Sequence, residues 1–182
     1  VVNKNKSLEF FEKKIKTELV EKLIKQKIPN NQKFIEYSPL ANEKLSKISK
    51  IIIKNNGGLL IIDYGYNSKK MFDTLQSVKK HKKNNLLENI YKADITHLIN
   101  FNFFKQKIRN LEIGSVNLTT QRKFLLKMGI LERAEIISKN MPFSKKSDIY
   151  FRLKRLIDKK QMGTLFKVLF ATTKKNNFNL GF

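Results

Sequence analysis

Gly57-Gly58-Leu59-Leu60-Ile61-Ile62-Asp63-Tyr64-Gly65-Tyr66 is the segment around which the chain is organised. Four consecutive apolar residues without polar alternation predict a strand buried on both faces, as in a parallel, helix-covered sheet. A buried helix segment is the competing reading, but the run is short and glycines bound it on both sides. Asn55-Asn56-Gly57-Gly58, just before it, can end a helix in a left-handed residue and turn the chain. An acid, two tyrosines and a glycine (Asp63, Tyr64, Tyr66 and Gly65) follow at the strand's carboxyl end, the edge where open α/β sheets bind ligands.

Upstream, Phe34-Ile35-Glu36-Tyr37 predicts a short strand, and Ser38-Pro39 is a good helix start, with serine as N-cap and proline in the first turn. The helix over 39–54 would bury Ala41, Leu45, Ile48 and Ile52. With the central strand this makes a right-handed strand–helix–strand unit. Residues 1–14 read as a small hairpin turning at Asn3-Lys4-Asn5-Lys6. Residues 15–33 read as a short helix or a surface excursion ending at Pro29-Asn30-Asn31.

Downstream, residues 67–93 are irregular, with a candidate strand in Asp73-Thr74-Leu75-Gln76-Ser77-Val78 and a lysine-rich turn around His81. Asn100 should cap a helix through about Asn110, with Phe101, Phe104 and Ile108 inward. Gly114 starts a strand over 115–118, and Thr119 or Thr120 caps one long helix to Lys139 with the stripe Phe124, Met128, Leu131, Ala134 and Ile137. Ser147 opens a further helix, and residues 162–172 form a second apolar strand whose one charge is Lys167.

The 182 residues carry 38 Lys+Arg against 15 Asp+Glu, a formal net charge of +23. Such a charge suits nucleic acid or an anionic membrane surface. Here lysine is scattered through every segment, and arginine stands only at Arg109, Arg122, Arg133, Arg152 and Arg155, so drift of composition accounts for the charge better than a nucleic-acid face. There is no cysteine, which excludes disulfides, thiolate metal sites and a cysteine nucleophile. His81 and His97 have no second ligand at metal spacing, so no metal is expected. The glycines make neither a phosphate-binding loop nor a dinucleotide fingerprint. No apolar run is long enough to span a bilayer, and Val1–Lys6 resembles no signal peptide. The chain opens on Val1 and its first methionine is Met71, so it reads as trimmed or as the tail of something longer.

Several motifs fall in the order of one family. They are Ile35-Glu36-Tyr37-Ser38-Pro39, the stretch 57–66, Asp73–Val78, Lys80-His81, Ala93-Asp94-Ile95-Thr96 and Thr120-Gln121. Phe124–Ile130, Met162–Leu169 and the final Gly181-Phe182 continue the series. On these the chain resembles the C-terminal half of the MidA-type class I S-adenosylmethionine-dependent methyltransferases, whose mitochondrial member is an arginine methyltransferase needed for complex I assembly. Residues 1–33 match only loosely.

The resemblance implies an α/β, Rossmann-like sheet with inserted helices, residues 1–182 forming the C-terminal part of one methyltransferase domain. Residues 59–63 would be its fifth strand, those near 115–118 its sixth, and those near 164–171 a seventh inserted antiparallel between them. The family's glycine-rich loop, its ribose-holding acid and its Asn-Glu motif have no counterpart here. S-adenosylmethionine would accordingly be held mainly by a missing N-terminal half. Asp63, Tyr64 and Tyr66 would line the pocket mouth, with His81, Asp94 and Thr96 as weaker candidates and no catalytic residue assigned. The implied partner is a protein substrate, with a respiratory complex I subunit as candidate, in the bacterial cytoplasm or the mitochondrial matrix. A non-catalytic assembly module on the same fold is the alternative, and a basic nucleic-acid binder the more remote one.

Overall fold

The computed structural model describes residues 2–4, 7–25, 32–111 and 113–182. In chain order the elements are β1 (Val2–Lys4), β2 (Ser7–Glu9), α1 (Thr17–Lys25), α2 (Pro39–Lys54), β3 (Gly58–Tyr66), β4 (Gln76–Lys79), β5 (Lys82–Asn84) and β6 (Asp94–Thr96). Then follow β7 (Ile99–Asn100), α3 (Phe101–Arg109), β8 (Ser115–Thr120), α4 (Gln121–Lys127), α5 (Ile130–Ser138), α6 (Phe143–Ile157), α7 (Met162–Leu165) and β9 (Phe166–Thr172). They form two compact units, one from Val1–Glu36 with Lys70–His97, the other from Tyr37–Lys69 with Leu98–Phe182.

The larger unit is built on a sheet of order β7-β3-β9-β8. β9 runs antiparallel between β3 and β8, from Gly58↔Thr172 to Tyr64↔Phe166 on one side and from Ser115↔Thr172 to Thr120↔Lys167 on the other. β7 joins β3 in parallel at Gly65 and Tyr66 alone. Along Gly58–Tyr64 the edge of β3 away from β9 therefore has no ladder among the described residues. Directly paired residues share a face. One face carries Leu59, Ile61, Leu169, Ala171, Val116 and Leu118, and packs on Leu45 of α2 and on Phe101, Phe104 and Ile108 of α3.

The other face corrects the expectation that the apolar run is buried on both sides. Leu60 and Ile62 remain 49% and 47% exposed, and exposure alternates along β3. Four apolar letters record hydrophobicity, whereas coverage depends on what the rest of the chain lays over each face. On β9 that second face is better covered: the Phe170 ring stacks on Phe182 at 5.5 Å and meets Phe178 edge-on.

Local signals set α2 closely. Ser38 Oγ accepts from the Ala41 N–H at 3.2 Å, and proline occupies the first turn. Its buried stripe is Leu45, Ser49 and Ile52, not the expected Ala41, Leu45, Ile48, Ile52; Ile48 points outward, and Ser49 is tolerated inside because its hydroxyl donates to the Leu45 carbonyl at 2.8 Å. Asn56, with φ 49°, supplies the left-handed residue after the helix.

Other expectations are corrected. Phe34–Tyr37 is not a strand, because no neighbouring strand offers it a ladder among the described residues, and the strand–helix–strand unit lacks its first member. The expected helix to Lys139 is two, α4 and α5, broken at Gly129 with φ 75°; Met128, Leu131 and Ile137 of the expected stripe are exposed. The α6 helix starts at Phe143 after Pro142 rather than at Ser147. Met162–Leu165 is one helical turn, and the strand begins only at Phe166. Asn100 caps α3 as expected, its Oδ1 accepting from Asn102 and Phe103 N–H groups, and Phe101 and Ile108 are fully buried.

In the smaller unit β1 and β2 pair antiparallel, and β4 sits between β5 and β6. Residues 15–33 contain a helix, α1; the predicted stop at Pro29-Asn30-Asn31 lies outside the described residues. The strand predicted over 73–78 begins only at Gln76. Lys80 and His81, with φ 49° and 61°, form the two-residue turn from β4 to β5, the mirror-image turn whose twist suits a hairpin.

Candidate functional site

Asp63 sits near the carboxyl end of β3, on the face of Leu59 and Ile61. Its Oδ1 accepts from the Tyr64 N–H at 2.8 Å. Tyr64 turns to the opposite face, where its ring meets Phe166 edge-on at 5.8 Å between centroids. Gly65 and Tyr66 pair with Ile99 and Asn100 of β7, and Asn100 caps α3, so this edge of the strand is tied directly to the start of a helix. Asn102 Nδ2 donates to Asn67 Oδ1 at 3.4 Å just beyond.

Lys167 stands directly opposite Asp63 in the ladder and on the same face. Its ammonium turns instead to the backbone, donating to the carbonyls of Gly65 at 2.8 Å, of Leu165 at 3.4 Å, and of Thr164. Burial pushes its pKa below the usual lysine value. The sequence marked this residue only as the one charge in the apolar run, and that was the available signal.

The other three candidates belong to the smaller unit. His81 is an exposed turn residue, while Asp94 and Thr96 lie in β6 opposite Val78 and Gln76, Asp94 exposed and Thr96 half-buried. The same unit holds a group that sequence reasoning missed. Glu36 Oε1 accepts from the Thr74 hydroxyl at 2.8 Å, and Glu36 Oε2 lies 3.7 Å from His97 Nδ1. Thr74 and His97 are far from Glu36 in sequence, so no local pattern announces the cluster. The six candidate residues thus fall into two groups, Asp63, Tyr64 and Tyr66 in one unit and His81, Asp94 and Thr96 in the other.

An open cleft of ≈ 490 Å³ lies at the amino end of β3, where Ser115 and Thr172 share a rung with Gly58, away from Asp63. Amides, hydroxyls and Lys174 line it, with Gly114 and Phe178. It holds no acid to take ribose hydroxyls or an amino group, and the carboxyl end of β3 offers the single carboxylate of Asp63 without a glycine-rich turn. Among the described residues of this unit, neither place combines an acid with a glycine-rich turn. Among the described residues no cluster of His, Cys, Asp and Glu could hold a metal ion, and no helix is long and apolar enough to cross a membrane.

A sheet closed by an antiparallel strand inserted beside the central one defines the class as a Rossmann-like α/β fold. Residues 1–117 match the family described as "Putative S-adenosyl-L-methionine-dependent methyltransferase", and the chain belongs to that family, the MidA type. It is 27% identical over 137 residues to the protein arginine methyltransferase NDUFAF7, mitochondrial, of Danio rerio, covering 75% of this chain and 32% of that protein. The Xenopus tropicalis counterpart is 29% identical over 134 residues, with 73% and 31% covered.

Two crystal structures from Burkholderia thailandensis share the fold. One, bound to S-adenosyl-homocysteine, superposes with a TM-score of 0.70 at 19% identity over 92% of this chain and 44% of that one. The other, a native structure, gives 0.69 at 20% identity over 80% and 40%. The chain thus spans about a third of the curated relatives and under half of the solved chains.

Proposed function

We propose that the chain forms the C-terminal part of one S-adenosylmethionine-dependent protein methyltransferase domain that acts on arginine, with the cofactor held mainly by residues outside it. The observation that supports this best is β9 seated antiparallel between β3 and β8, with Asp63–Tyr66 at the carboxyl edge of β3, in a chain of a methyltransferase family. Arginine as acceptor follows the names of the curated relatives. A respiratory complex I subunit follows the family resemblance as candidate substrate. The solved relatives are bacterial and the curated ones mitochondrial; bacterial cytoplasm is the residence we favour.

The chain's own contribution is a wall of that pocket. The Asp63 carboxylate can accept N–H bonds from a guanidinium, and Tyr64 and Tyr66 add aromatic surface with polar tips. His81, Asp94 and Thr96 are weaker candidates by family resemblance, and they belong to the other unit.

The experiment extends the chain with what the gene encodes before Val1 and measures labelled-methyl transfer from S-adenosylmethionine to protein arginine. A strand followed by a glycine-rich loop upstream, with transfer, is expected. An upstream sequence without that loop, or no transfer, overturns the reading. Calorimetric titration should show no micromolar binding of S-adenosylmethionine to the 182-residue chain; such binding would refute the division of labour.

A further inference from the structure

Lys167 and Asp63 face each other across an antiparallel pair, the usual setting for a cross-strand ion pair. Among the described residues no ion pair joins them. The ammonium is committed to the carbonyls of Gly65, Thr164 and Leu165. An ammonium has three N–H donors, and three carbonyls converge on it. Two of these carbonyls belong to α7, immediately before β9, and the third to the carboxyl end of β3. The charge thus binds together two backbone segments 102 residues apart in sequence.

We propose that Lys167 is a positioning residue: its ammonium clamps the carboxyl end of β3 to the α7–β9 turn and fixes the backbone at Gly65, from which Asp63, Tyr64 and Tyr66 are presented. The functional sense of this clamp rests on the reading that this edge lines the methyl-transfer pocket. The clamp itself does not. Its cost is consistent with a role beyond stability, because burial disfavours the charged form that the three carbonyls require. A methionine would pack the same stem without that cost. The placement agrees with Gly65, whose backbone has no spare room: a Cβ there would lie 2.3 Å from the Ile99 carbonyl oxygen.

Peptide-level hydrogen exchange on the 182-residue chain and on Lys167→Met and Lys167→Arg tests the clamp. Methionine keeps the aliphatic stem, and arginine keeps the charge on a longer head whose donors spread in one plane instead of meeting three carbonyls at a single nitrogen. The expected result is a rise of roughly fivefold or more in exchange for peptides spanning Gly65–Asn67 and Leu165–Phe166 in both variants, with the rest of β3 and β9 unchanged and the melting temperature of Lys167→Met not lowered.

In ¹⁵N-lysine spectra the parent should show one slowly exchanging ammonium that both variants lack. Unchanged local exchange, a rise spread evenly over the sheet with a fallen melting temperature, or no slowly exchanging ammonium overturns the proposal. Exchange is read without methylation, so failure here and failure of the methyltransferase reading are separate results.

Discussion

A side chain at Gly65 would place its Cβ 2.3 Å from the Ile99 carbonyl oxygen and 2.8 Å from the Phe101 ring. Real Cβ contacts are never so short, and both neighbours are fixed, one by the β3–β7 pairing and one by full burial. Gly65→Ala should therefore destabilise the larger unit by about 1–3 kcal/mol through overpacking. Urea denaturation checks this, and a change under ~0.5 kcal/mol would contradict the close approach.

Two leucines on the same sheet should behave oppositely. Leu169 is fully buried in the core, whereas Leu60 is 49% exposed. Leu169→Ala should cost about 2–5 kcal/mol. Leu60→Ala should cost under ~1 kcal/mol, because little buried area is lost. Equal costs in denaturant titrations would mean that the outer face of β3 is covered after all.

The α2 cap is measurable by itself. Ser38→Ala removes the hydroxyl that accepts from the Ala41 N–H and should cost about 1 kcal/mol. Ser38→Asp should restore stability. A neutral Ser38→Ala substitution would show that the Ser38 hydroxyl is not needed to cap this helix.

The lowered pKa of Lys167 fixes a pH dependence. In the unfolded chain the lysine titrates near 10.5; in the fold burial makes it release its proton earlier. Between the two values the unfolded chain binds more protons, so this group makes stability rise with pH through the window below 10.5 and level off above it. Lys105 and Lys107 shift the same way but are present in both proteins, so the stability of the parent minus that of Lys167→Met isolates the contribution. That difference should grow as pH climbs through the window in denaturant titrations. A flat or falling difference would count against it.

The edge of β3 that has no ladder among the described residues, with Leu60 and Ile62 about half-exposed beside it, should bind a hydrophobic dye and promote association of the isolated chain. Leu60→Lys and Ile62→Lys should lower dye fluorescence and raise solubility with little loss of stability. A cooperative melt with flat dye signal in the parent would contradict this.

Much of the larger unit was legible because its signals are local. Ser38-Pro39 and Asn100 each satisfy backbone donors within a turn, so their helices start where serine, proline and asparagine say. The inserted antiparallel strand was read through family resemblance, since no local pattern tells which strands become neighbours. The misreadings have separate causes. Phe34–Tyr37 has strand-like residues but no partner strand among the described residues, the helix after Thr120 breaks because Gly129 takes a left-handed conformation, and the first turn of the apolar run at 162–172 coils before it extends.

That Asp63, Tyr64 and Tyr66 share a strand end was legible because they are near neighbours in sequence. Local residue chemistry alone set that strand, the capped helix before it and the acid at its carboxyl end, and the composition shows no cysteine and no glycine-rich phosphate or dinucleotide fingerprint. These depend on side-chain chemistry within a few residues. Which face of the strand is covered, that Lys167 serves three carbonyls rather than Asp63, and that Glu36 meets Thr74 and His97 follow from the folded chain. Lys167 meeting Gly65, and Glu36 meeting Thr74 and His97, join residues tens of positions apart, and those partners are chosen by the path of the backbone.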